Sequence, residues 1–189
     1  MYPYQNPNLP TEERINDLMS RMTLEEKILQ TDQYYSGDFT TQDENGKVTA
    51  VDMQRFDALM QRNSVGSVQL RGMTAAQANI VQRYAMENTR LGIPYLFSEE
   101  ALHGLMTNNA TSFPQQIGLA ASFEPELGRE MGHAIAAESR ACGIHETYSP
   151  VMDLIRDPRY GRAEDPMVRT HTFVLSLHAK PYWVCRGQT

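Results

Sequence analysis

Two stretches of the chain hold side chains able to do chemistry. They are Ser98-Glu99-Glu100-Ala101-Leu102-His103-Gly104 and Arg156-Asp157-Pro158-Arg159-Tyr160-Gly161-Arg162. In the first, two adjacent carboxylates follow an apolar run, Ile93-Pro94-Tyr95-Leu96-Phe97. Carboxylates so placed are costly unless they face a solvated pocket or hold a ligand. Each could accept hydrogen bonds from sugar hydroxyls. From spacing alone, a helix-capping or solvent-facing role for Glu99 and Glu100 is the commoner arrangement. His103 before Gly104 reads as a hydrogen-bonded turn histidine rather than a base. The second stretch offers three arginines, whose planar forks suit hydroxyls or carboxylates. The simpler reading there is an ion-pair network that fixes the loop, with Asp157 pairing an arginine. Asp153 likewise reads as a loop-fixing acceptor.

These residues must be positioned by the elements around them. Thr11, Glu12 and Glu13 suit a helix start, with Ile15, Leu18, Met19 and Met22 on one face. Thr23-Leu24-Glu25-Glu26 has the form of a capping box for a second helix. Residues 36–50 read as loop, with a turn at Asn45-Gly46. Residues 53–63 read as helix, 65–70 as a strand, 74–91 as helix and 93–97 as a strand begun by Pro94. Ala78, Val81, Ala85 and Met86 fall on one face of the 74–91 helix. Pro125 and Gly143 bracket a helix over 125–142, with Leu127, Met131, Ile135 and Cys142 as its apolar stripe. A third strand is expected near 147–154. Strand and helix alternate, the pattern of a parallel α/β fold, which alone does not separate a barrel from an open sheet. In either, polar site residues gather at the carboxyl ends of strands, where both stretches fall.

Bulk properties narrow the partners. The 189 residues are 41% hydrophobic and 21% charged, as in ordinary globular proteins, with a net charge of −6. No stretch is strongly basic, so nucleic acid and anionic membranes are not expected partners. No apolar run approaches the roughly 18 residues of a membrane span. The start, MYPYQNPNLP, lacks the apolar core of a signal peptide. Cys142 and Cys185 suit two free thiols in a reducing compartment. The expected location is cytoplasmic. The histidines at 103, 133, 145, 171 and 178 show no ligand spacing, so neither metal nor cofactor is expected. Nucleophile-elbow, phosphate-loop and dinucleotide motifs do not occur.

Several segments together resemble glycoside hydrolase family 3. They are RMTLEEKILQ (21–30), EALHG (100–104), the elements around Phe113-Pro114 and Ala121-Ser122-Phe123, and SPVMDLIRDPRYGRAE (149–164), in that family's order. The acidic-x-x-His-Gly form resembles the β-glucosidase and β-xylosidase lineage. The resemblance implies an α/β fold, the N-terminal portion of a (β/α)8 TIM-type barrel, acting on a β-linked glucoside or xyloside at its carboxyl face. By the same resemblance, Glu100 matches the acid that holds hydroxyls of the non-reducing-end sugar. Arg162 matches the arginine that binds the same sugar. Glu99, His103 and Asp153 match positions implied only to shape the loops. The family's nucleophile is an aspartate in a Ser-Asp-Trp-like motif, its acid/base lies in a second domain or late loop, and a Lys-His pair also contacts the sugar. None of these is found in this sequence. Trp183 has no Ser-Asp before it, and Lys180 precedes Pro181.

After Glu164 the family pattern breaks. Codons for Pro166 to Phe173, read one register out, permit Tyr-Gly-Glu-Asp-Pro-Tyr-Leu, the family's continuation. The glycine is forced, because the methionine codon ends in G and valine begins GT. Residues 166–189 also contain no Asp or Glu, whereas 23 precede them. The expectation is a partial barrel domain over 1–165 and a non-homologous, out-of-frame tail over 166–189. A full barrel takes about 250 residues, so such a chain is expected to be poorly soluble or molten, and inactive by itself, with no catalytic residue of its own. A sugar- or partner-binding remnant, or a product without function, is the alternative.

Overall fold

The computed structural model describes residues 2–61, 64–107 and 110–149, with Val151, Asp157, Arg159, Gly161 and Arg162. Helices α1 (Thr11–Arg21) and α2 (Leu24–Leu29) lead into strand β1 (Gln33–Tyr35). A hairpin, β2 (Thr40–Gln42) and β3 (Val48–Val51), precedes α3 (Met53–Met60). Then follow β4 (Ser67–Gln69), α4 (Ala75–Asn88), β5 (Leu96–Glu99), α5 (Gln116–Ala121), α6 (Pro125–Ala141) and β6 (Glu146–Thr147). Strands β1, β4, β5 and β6 form one parallel sheet in chain order. Consecutive neighbours joined by helical crossovers are how a (β/α)8 barrel begins, whereas a doubly wound sheet reverses its order.

Local chemistry explains the element starts. Thr23 accepts from Glu26 N at 3.2 Å and Glu26 accepts from Thr23 N at 2.9 Å, the expected capping box. Asp52 caps α3 through Gln54 N and Arg55 N, and Thr74 caps α4 through Gln77 N. Thr11 is the first helical residue of α1 rather than its cap, a place taken by Pro10. The expected loop over 36–50 is in part the β2–β3 hairpin, reversed at Gly46 with φ 78°. Strand β1 was not foreseen: Gln33-Tyr34-Tyr35 is too short to show a period, and its parallel partner lies 34 residues downstream.

Parallel register sorts the side chains. Tyr34, Val68 and Phe97 share one level and face the helices. There they meet Ala78, Val81 and Ala85 of α4 and Met131 and Ile135 of α6 in one core. Residues expected on apolar helix faces lie outside it: Met86 is 59% exposed and Leu127 47% exposed, and Ile15 and Met19 of α1 are exposed as well. Tyr84 takes the buried place on α4, its hydroxyl donating to Asp57 at 2.6 Å. The other sheet face is largely polar, with Leu96 and Tyr35 exposed on it. Gln33 Nε2 there bonds both Ser67 Oγ and Ser98 Oγ at 3.0 Å.

The chain's start is tied to this core. Tyr4 donates its hydroxyl to Leu91 O at 2.6 Å and its N–H to Asp17 at 3.1 Å. Arg90 pairs with Glu26 and donates to Arg21 O at 2.9 Å. Gly66 lies so close to Gln30 O that a Cβ would sit 2.0 Å from it. Only glycine lets β4 pass the end of α2.

One aromatic group is conspicuous in the core. Phe56 meets Phe39, Tyr84 and Tyr95 edge to face, with centroids 4.7, 5.0 and 6.4 Å away. Tyr95 is fully buried, yet its hydroxyl finds no partner among the described residues. An unmet buried hydroxyl costs about 1 kcal/mol or more. Tyr95→Phe should therefore raise the thermal midpoint by about 2–4 °C. A lower midpoint in a calorimetric scan would show that the hydroxyl is bonded after all.

Candidate functional site

Strand β5 delivers the acidic pair. Phe97, Ser98 and Glu99 are all buried, so their partners rather than their exposure tell the two faces of the strand apart. Phe97 faces the helices, Ser98 the polar face, and Glu99 the helices again. Ser98 is fixed on its face by Gln33 and by the Tyr148 hydroxyl at 2.9 Å. Glu100 is the first residue past β5, at the carboxyl end of the sheet. Glu100 is half-buried there.

Glu99 has a structural task. It is 1% exposed, and its oxygens accept from Gly72 N at 3.1 Å and Glu100 N at 2.9 Å. Burial raises its pKa above the ordinary carboxylate value, against the lowering pull of those two N–H groups and of Arg71. This carboxylate joins the end of β4 to the end of β5. A cavity of about 210 Å³ lies against it, lined by Leu70, Met73, Thr74, Cys142 and Ile144 among others.

The residues bonded to Glu99 form a turn that sequence reading missed. Met73 N donates to Leu70 O at 3.2 Å, and Arg71 and Gly72 have φ 41° and 77°. Two positive φ values mark a type I′ turn, which favours Asn or Gly at both centres. Arginine there costs about 1–2 kcal/mol. The guanidinium of Arg71 lies over the Tyr35 ring, 5.9 Å from its centroid, and Arg71 is exposed. A positive-φ arginine cannot be recognised from sequence, because arginine carries no turn signal.

His103 is the bonded turn histidine expected: Nδ1 lies 3.1 Å from Phe113 O, and Phe113 N donates to His103 O at 2.7 Å. Gly104 has φ 134°, and a Cβ there would meet Thr111 O at 2.2 Å. His145 Nδ1 accepts from Phe97 N at 2.9 Å, which fixes the start of β6 beside β5. Burial, with Arg140 nearby, holds its pKa below the usual histidine value.

In the second stretch, Arg159 Nε donates to Asp157 Oδ1 at 2.9 Å, the loop-fixing pair expected, and holds the Asp157 carboxyl below its ordinary pKa. Asp153, Arg156 and half of the expected third strand over 147–154 lie outside the described residues, and among those described the strand is β6, Glu146–Thr147. Arg162 is exposed beyond β6. The structure therefore brings Glu99, Glu100, Arg71 and Tyr35 to one end of the sheet, while Arg162 keeps the role that resemblance gave it as an expectation only. Among the described residues, no group of three His, Cys, Asp or Glu could hold a metal ion, and no helix is long and apolar enough to cross a membrane.

A sequential parallel sheet with helices on one face and acidic and basic side chains at its carboxyl ends defines a TIM-type α/β barrel segment. The model of the glycosyl hydrolase family 3 N-terminal domain matches residues 23–180. The chain belongs to this family. It is 32% identical to a putative β-xylosidase of Formosa agariphila over 93% of this chain and 24% of that protein. It is 32% identical to β-glucosidase C of Emericella nidulans over 84% of this chain and 27% of that protein. The crystal structure of a Listeria innocua β-glucosidase in complex with gluconolactone superposes with a TM-score of 0.69 at 31% identity, over 88% of this chain and 22% of that one. The chain thus spans about a quarter of the length of the curated relatives it matches.

The raised Glu99 pKa has a pH signature. A carboxyl whose folded pKa exceeds its unfolded one stabilises fully below the unfolded value, and that contribution is lost as pH rises through the folded value. Wild type should lose stability relative to Glu99→Gln as pH climbs above the ordinary glutamate pKa of about 4.3. Parallel denaturant curves of the two chains across that range would contradict this.

Proposed function

We propose that this chain supplies the first part of the catalytic barrel of a retaining, exo-acting β-glycosidase, with β-glucosidase or β-xylosidase specificity. Glu100 and Arg162 contribute to the subsite for the non-reducing-end sugar. The observation that supports this reading is that Glu100 directly follows β5 at the carboxyl end of the sheet, where continued strand alternation turns it toward the polar side. A carboxylate there can accept from hydroxyls of a bound sugar. The names of the relatives, β-glucosidases and β-xylosidases, support the same substrate class.

Glu99 and Glu100 do not constitute the catalytic pair. Retaining hydrolysis needs two carboxyl groups about 5–5.5 Å apart on either side of one glycosidic bond. Glu99 is buried and occupied by two backbone N–H groups. The 189 residues alone are therefore proposed not to hydrolyse β-glycosides. We further propose the change of reading frame near residue 165. The family match continues past that point to residue 180, so the downstream nucleotide sequence decides. Lys-His and Ser-Asp-Trp codons in another frame support the shift, and their absence from all frames removes it.

The purified 189-residue chain should release no nitrophenol from p-nitrophenyl β-D-glucoside or β-D-xyloside. A chain read in the restored frame should hydrolyse one of them and lose that activity in Glu100→Ala. Turnover by the short chain that survives substitution of both Glu99 and Glu100 would overturn the reading.

A further inference from the structure

We propose that Arg71 is a further sugar-binding residue, and that it acts with Glu100 as a donor–acceptor pair reading two neighbouring hydroxyls of a neutral sugar. This rests on the reading that Glu100 meets the sugar. Three observations point to Arg71. It occupies a turn position with φ 41°, where the local backbone favours Asn or Gly, so its side-chain type is not selected by the turn. Strain of that kind clusters at functional sites. Its guanidinium is exposed over the Tyr35 ring and has no hydrogen bond or ion pair among the described residues, which leaves its donors for a ligand. The turn that carries it is held from both sides. Glu99 accepts from Gly72 N at 3.1 Å, and the buried Ser36 hydroxyl donates to Leu70 O at 2.6 Å.

Geometry and charge select the ligand class. Arg71 follows the end of β4 and Glu100 the end of β5, with Leu70 N donating to Ser98 O at 3.1 Å just below them. Adjacent strands lie about 4.8 Å apart, so Arg71 and Glu100 stand at neighbouring strand ends, with the Arg71 guanidinium resting over Tyr35 at the end of β1. Arginine offers only donors and an ionised glutamate only acceptors. A sugar diol satisfies both at once. A lone guanidinium also attracts anions, but the neighbouring Glu100 carboxylate repels them, which favours a neutral polyol over a uronate.

The test is an amide chemical-shift titration of the 189-residue chain with glucono-1,5-lactone, D-glucose and sodium glucuronate. Wild type should bind the lactone and glucose and not glucuronate. Arg71→Asn and Arg71→Gly keep the left-handed turn and should melt no lower than wild type. They should nonetheless bind about tenfold more weakly, the usual worth of a charge-assisted hydrogen bond. Arg71→Lys, which keeps charge but not the fork, should fall between. Binding lost in Glu100→Ala but unchanged in both Arg71→Asn and Arg71→Gly overturns the Arg71 proposal alone. Tighter binding of glucuronate than glucose overturns its ligand class. Absence of binding by wild type overturns this proposal and leaves the Glu100 reading to the activity of the chain read in the restored frame.

Discussion

The end of this sheet that carries its polar chemistry is held by a buried carboxylate. Glu99 sits between sheet and helices and accepts one N–H from the β4 turn and one from the residue after β5. Its burial is unfavourable for a charge, as its raised pKa shows. The return is geometric: two neighbouring strand ends are fixed at a set separation, one followed by the exposed Arg71 and the other by the half-buried Glu100. Removing that carboxylate frees Gly72 and Glu100 from one another.

Strand alternation then divides labour between adjacent residues. Glu99 is buried and braces the fold, while Glu100, the first residue past the strand, is only half-buried. The same rule places Ser98 where Gln33 and Tyr148 can reach it. Two carboxylates next to each other in sequence are thereby kept from acting on one bond. A parallel strand end offers a single functional side chain per face. A glycosidase built on such strands must draw its two acids from different elements.

Much of this was legible in the sequence. The capping box at Thr23, the helix bracketed by Pro125 and Gly143, and the parallel α/β order all rest on local signals that tertiary context did not override. The family resemblance rested on ordered motifs, and the family match bears it out. What escaped was non-local. Strand β1 exists because Gln33, Tyr34 and Tyr35 find partners in β4, which no window around them reveals. Met86 and Leu127 carry helical spacing but fall just outside the buried arc, a matter of helix rotation rather than period. Glu99 and Glu100 could be singled out as a pair, but which one was buried depended on where β5 begins. The expected strand over 93–97 begins early; the observed one runs from Leu96 to Glu99. Arg71 was invisible because its importance lies in a backbone angle.

The opening residues have a consequence of their own. Tyr4 reaches Leu91, 87 positions away, and Arg90 beside it holds Glu26 and Arg21. The amino-terminal segment is thus a clasp closed over the loop that feeds β5. A protease trimming those first residues would loosen the base of the very strand whose far end bears Glu100, so damage at the leader would be felt at the mouth of the barrel.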